Sequence, residues 1–157
     1  MPIRPRILAV LITALVAGLL SGCATRMTAK DLDGRLRRES QVAASRQVVR
    51  RIVPVHAQTK MEAWILRTEA KSSPEESPLS LALADGFRLG QRRRVDYFVG
   101  GPFPALLEQL VMNGLDMNEG RALPGLRIVL VSPAAPTPAL RRAATAHRVR
   151  LEHRLLN

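Results

Sequence analysis

Leu126-Arg127-Ile128-Val129-Leu130-Val131 is the stretch on which the reading of the fold turns. It is short, nearly continuous in apolar residues and rich in β-branched ones. A half-exposed strand would alternate polar with apolar; a run like this reads as a strand covered on both faces. Pro133 and Pro136 close it, since proline can donate no ladder hydrogen bond.

Working upstream, Arg94-Val95-Asp96-Tyr97-Phe98-Val99 reads as a second strand and Gly100-Gly101-Pro102 as a turn. Phe103 to Gly114 reads as a helix. Pro104 suits its first turn, Leu106, Leu107, Leu110 and Val111 form one apolar face, and Asn113-Gly114 is a stop. Leu115 to Asn118 is expected to add a short strand. Downstream, Thr137 is placed to cap a short helix running to Ala146, with Pro138 at its first position. Arg148 to Leu155 alternates in part and reads as a last strand with one solvated face. The order β-α-β-β-α-β over residues 94–157 predicts a small two-layer α+β domain.

Before this domain the patterning changes. Leu32, Leu36, Val42, Ala43, Val49, Ile52 and Val53 recur three and four apart, so residues 31–53 are expected to form a helical segment. Asp31 is a candidate N-terminal cap, and Pro54 marks the end. Residues 54–93 read as a linker and irregular region, centred on the apolar-free stretch Lys71 to Pro78 with its two prolines. Within it, Met61 to Thr68 has the makings of a short helix or strand, and Leu79 to Leu83 is a small apolar piece.

The chain begins with Arg4 and Arg6, an uncharged apolar run from Ile7 to Leu20, and then Leu20-Ser21-Gly22-Cys23. A positive start, a short apolar core and small residues at a cleavage point make a secretory signal over residues 1–22. The run is shorter than the ~20 residues a spanning helix needs. Leu20, Ser21, Gly22 and Cys23 resemble a bacterial lipobox, in which the thiol receives a diacylglyceryl group, the signal is cut before it, and the freed amine is acylated. Residues 23–30 would then be a lipidated tether. More than one acyl chain is what stable anchoring requires. Ala24 in place of Asp, by the same resemblance, directs the protein to the periplasmic face of the outer membrane.

Composition narrows the function further. The formal charge of +11 falls by two with Arg4 and Arg6, to about +9 for the mature chain. A basic balance favours an acidic partner or surface. Trp64, Tyr97, Phe87, Phe98 and Phe103 are the only aromatics, too few for the stacking platforms of a single-stranded nucleic-acid binder. Export also argues against a nucleic-acid partner. With Cys23 acylated, no thiol remains for a disulfide, a nucleophile or a thiolate metal site.

No catalytic motif stands out. A serine elbow, a His-Glu-x-x-His pair and a phosphate loop are all missing from the sequence. His56, His147 and His153 are scattered, Glu75 and Glu76 sit in a loop, and Arg92-Arg93-Arg94 reads as the solvated entry to a strand or as contact for an acidic partner. The chain is therefore expected to be a binding protein rather than an enzyme, with no metal and no cofactor beyond the covalent diacylglycerol and N-acyl lipid on Cys23.

The succession of lipobox, helical stretch, Pro/Ser-rich spacer, Val95-Asp96-Tyr97, Gly101-Pro102 and a helix with Leu106, Leu107 and Leu110 resembles the DotD/TraH lipoproteins of type IVB secretion and conjugation systems. That resemblance implies a fold similar to the secretin N-terminal domain and a place in a ring-shaped core complex. It also implies partners: a secretin-like outer-membrane channel subunit and a second lipoprotein. Candidate partner-binding residues are Arg148, Arg150 and Arg154 on the last strand, and the family-like Val95, Asp96 and Tyr97. The competing reading is a pilotin-like or entry-exclusion lipoprotein of another envelope machine, which would share the anchor but not the fold.

Overall fold

Two strands buried on both faces form the centre of the structure: β2 (Val95–Gly100) and β3 (Leu126–Ser132). The computed structural model describes residues 27–42 and 48–157. Their arrangement is α+β, with a four-stranded sheet in the order β1-β2-β3-β4. Every neighbouring pair is parallel. β1 (Val49–Pro54) and β4 (Arg150–Leu155) are its edges.

Parallel neighbours need crossovers. β1 reaches β2 through α2 (Lys60–Ser72), a 3-10 turn (Pro74–Glu76), α3 (Pro78–Phe87) and a second 3-10 turn (Arg88–Gln91). β2 reaches β3 through α4 (Pro104–Asp116), and β3 reaches β4 through α5 (Pro138–Ala146). Strand order follows chain order, so right-handed crossovers put all these helices on one face. Leu83, Phe87, Leu106, Leu107, Leu110 and Leu140 pack there against Val95, Tyr97, Val99, Ile128 and Leu130. The opposite face takes α1 (Ala29–Val42), whose Leu32 and Leu36 pack on Phe98, Val129, Val131 and Leu156. Truncating a fully buried leucine such as Leu36 to alanine costs about 2–5 kcal/mol, so this one side chain is a large part of what holds α1 down.

The helix starts follow from local chemistry. Thr59, Ser77 and Thr137 each accept a hydrogen bond from the backbone N–H three residues on, and Pro78 and Pro138 follow two of these caps. Glu108 of α4 accepts from both the Thr137 backbone N–H and its hydroxyl, at 2.8 Å each, which ties α5 to α4. At α1 the cap is Thr28 rather than Asp31. Asp31 is its reciprocal partner: the Asp31 N–H donates to Thr28 Oγ1 and the Asp31 carboxylate accepts from the Thr28 N–H and hydroxyl. The Thr28 hydrogen bonds hold the Asp31 carboxyl below its ordinary value of 3.8.

Several expectations are corrected. Residues 31–53 are not one helix: α1 ends at Val42 and Val49–Pro54 is strand β1. The spacing of Val49, Ile52 and Val53 imitates a helical stripe, but here Val49 and Val53 face the helices and Ile52 faces α1. Residues 54–93 are not a linker, since they fold into α2, α3 and two 3-10 turns. The domain therefore begins well before residue 94, because β1 is a strand of the same sheet. No strand forms at Leu115–Asn118: these residues finish α4 and its turn, and the Asn118 side chain donates to the Ala84 and Gly114 carbonyls. The last strand starts at Arg150, because Arg148 has φ of 57°, the left-handed region that an extended strand cannot use.

Candidate functional site

A parallel sheet brings the starts of all its strands to one pole. In this sheet that pole is rich in arginine. The register aligns Arg50 with Asp96, Asp96 with Arg127, and Arg127 with Arg150, a row across all four strands. Asp96, Arg127 and Phe98 lie on the α1 side, where the Arg127 guanidinium sits 5.9 Å from the Phe98 ring centroid. Arg51 lies beside this row, Arg92, Arg93 and Arg94 lead into β2, and Arg148 leads into β4. Arg51, Arg92, Arg93, Arg94, Arg148 and Arg150 are all exposed.

Acids neutralise the centre of this array. The Asp96 carboxylate accepts from Arg127, and Glu152 takes a second bond from it at 3.4 Å. The Asp96 hydrogen bond pushes the Arg127 pKa further up, so the guanidinium stays charged. Glu152 also pairs with Arg154, which reaches Glu39 of α1 at 3.9 Å. Among the described residues, no carboxylate pairs with Arg92, Arg93, Arg94, Arg148 or Arg150. Exposed, unneutralised guanidiniums crowded at one pole raise the local potential and suit carboxylates or phosphates.

Next to Arg148 lies a cleft of about 600 Å3, lined in part by Asp116, Glu119, Arg121 and His147. Burial raises the Asp116 carboxyl pKa, with His147 opposing and Glu119 adding to it. His147 Nδ1 lies 2.9 Å from the Arg121 carbonyl oxygen, which holds the ring at the cleft wall. His56 and His153 are likewise engaged with backbone carbonyls, of Met27 and Ser132. Among the described residues, no group of three or more His, Cys, Asp or Glu is placed to hold a metal ion.

The expected partner-binding residues divide in two. Arg148 and Arg150 stand at the arginine pole, and Arg154 lies further along β4. β4 pairs with β3 alone, so its other edge is open among the described residues, and its charges blunt that edge against indiscriminate pairing. Val95, Asp96 and Tyr97, by contrast, offer no surface. Their strand is central, Val95 is fully buried, Asp96 is 6% exposed, and Tyr97 meets Phe87 edge-to-face at 5.1 Å. They are packed inside the sheet.

The arginine pole was not legible from single motifs. Only once the strands are known to be parallel does an arginine near each strand start become one surface. Cys23 and the cleavage residues Leu20, Ser21 and Gly22 lie outside the described residues. Among the described residues, no helix is long and apolar enough to cross a membrane. Compared with protein families, with curated proteins and with solved structures, the chain matches none.

Proposed function

We propose that this chain is a lipid-anchored docking subunit of an envelope machine, held in the outer membrane through Cys23 and presenting its arginine pole to an acidic partner. Three things support the reading: the lipobox-like Leu20-Ser21-Gly22-Cys23, the net positive charge, and above all the polarity of the fold. The described chain starts at the opposite end of the sheet from the arginines, where the Met27 carbonyl meets His56 just beyond the end of β1. A lipid on Cys23 would thus hold one pole at the membrane and turn the other towards the periplasm.

The machine suggested by the DotD/TraH resemblance is a type IVB-like secretion or conjugation core. The partners would be its secretin-like channel subunit and a second lipoprotein, in a ring assembly. Pilotins are often all-helical, so the four-stranded sheet supports this reading over the pilotin-like one. The domain would act by binding, through charge at the arginine pole and through the open edge of β4, which can accept a partner strand.

The test is reversal of charge in the full-length, acylated protein. Arg93→Glu with Arg148→Glu and Arg150→Glu should abolish co-purification with the core complex while leaving lipidation and the folded domain intact. Wild-type co-purification should weaken with salt. Unchanged capture by the triple variant would reject the arginine pole as the docking face.

A further inference from the structure

Helix α2 is attached to the domain by a narrow seam. Ala63, Leu66 and Ala70, at positions i, i+3 and i+7, are the residues turned to the core. The face turned away carries Met61, Trp64 and Ile65, which are 65%, 54% and 44% exposed. Their spacing of three and four makes them neighbours on one helix surface. Large apolar side chains left together in water mark an interaction site more often than chance.

Their position says what covers them. α2 follows the C-terminal end of β1, so its first two turns lie at the pole opposite the arginines. Met27 is at that same pole, its carbonyl oxygen 3.1 Å from His56 Nε2, in the segment joining β1 to α2. Leu155, 53% exposed, ends β4 there as well. Between Met27 and Cys23 there are four peptide links, which span at most about 14 Å when fully extended. Given a lipid on Cys23, this pole cannot move further than that from the bilayer.

We infer that Met61, Trp64 and Ile65 form a membrane-resting surface, seated in the interfacial region of the phospholipid leaflet that holds the Cys23 acyl chains. This rests on the lipid anchorage proposed above and adds an orientation to it: the domain lies against the bilayer instead of swinging on its tether. Tryptophan is well suited to the site, because an apolar ring with one N–H donor partitions to the headgroup level. Lys60, at the start of α2, and Lys30, in the first turn of α1, stand at the same pole to meet lipid phosphates. Glu62, the acid of that first turn of α2, is turned to the Gln58 N–H at 2.7 Å. A second copy fits the surface less well. Three side chains fall far short of the roughly 800 Å2 per partner that a stable dimer buries.

Trp64 is the chain's single tryptophan, so its emission reports this surface alone. The full-length acylated protein is reconstituted into phosphatidylethanolamine–phosphatidylglycerol vesicles, and intact mass establishes the lipid on Cys23. Brominated phospholipid should then quench Trp64 emission, aqueous iodide should not, and Met61→Gln with Ile65→Gln should reverse the two. Acylated protein whose Trp64 is quenched by iodide and spared by brominated lipid overturns the inference and leaves the anchor standing. Protection from both quenchers that disappears on dilution in lipid overturns it in favour of a second copy. Protein lacking lipid on Cys23 removes the anchorage and this inference with it.

Discussion

Arg127 of β3 donates to the carboxylate of Asp96, its register partner on β2, and the two neutralise each other at the middle of an otherwise basic row. The pair joins the two central strands on the α1 side of the sheet. It also keeps Arg127, in the middle of the row, from being a lone cation between the two central strands.

Removing the carboxylate should therefore cost stability. Asp96→Asn removes the charge opposite Arg127 and leaves Glu152, at 3.4 Å, as its carboxylate partner among the described residues. Hydrogen bonds to charged groups contribute about 1.5–3 kcal/mol, so a loss of about 2 kcal/mol is expected. It should appear as a lower urea midpoint with an unchanged slope. An unaltered midpoint would show that the pair adds nothing to the fold.

Gly101 should not accept a side chain. A Cβ there would stand 2.1 Å from the Val55 carbonyl oxygen, which is backbone and cannot swing away. Overpacking of this kind costs about 1–3 kcal/mol, and Gly101→Ala should lower the Tm accordingly. Because the residue lies at the end of β2, next to β1, the loss should extend to the β1 amides in hydrogen exchange.

Arg148 separates stability from docking. Its φ of 57° suits glycine, and a non-glycine residue in the left-handed region costs about 1–2 kcal/mol. Arg148→Gly is expected to raise stability by up to about 1 kcal/mol while weakening capture of an acidic partner. Measuring Tm and co-purification on the same variant checks both arms.

Tyr97 gives a pH prediction with a single reporter, since the chain has one tyrosine. Burial raises its pKa above the ordinary 10.0, and the charge of Arg51 opposes this. Unfolded chain thus releases the proton at lower pH than folded chain does. Stability should be unaffected by this group well below pH 10, and should fall as the pH climbs past that value. Phenolate absorbance is expected only above the ordinary value, together with unfolding. Titration of the folded protein at the ordinary value would contradict the burial.

Much of the core was legible from residue type. Leu126 to Val131 had to be a covered strand, and Pro104 and Pro138 marked where helices start. What escaped did so for identifiable reasons. β1 carries Arg50 and Arg51 between its valines, an edge-strand composition that blurs into the helical spacing before it. α2 packs mainly through two alanines and one leucine, too little apolar bulk to show as a buried face. The Pro/Ser-rich stretch after it is a tight turn between helices, where the same residues serve as caps. The arginine pole was hidden more deeply, because its arginines come from separate strands and meet only through the parallel register.

The anchor decides the rest. The direct measurement is the intact mass, with N-terminal fragmentation, of the protein extracted from outer membranes of cells making the wild-type chain and the Cys23→Ser variant. The wild type should begin at Cys23, carry diacylglyceryl and N-acyl groups, and lose both in the variant. A wild-type chain that begins elsewhere, or begins at Cys23 with a bare thiol, would contradict the account.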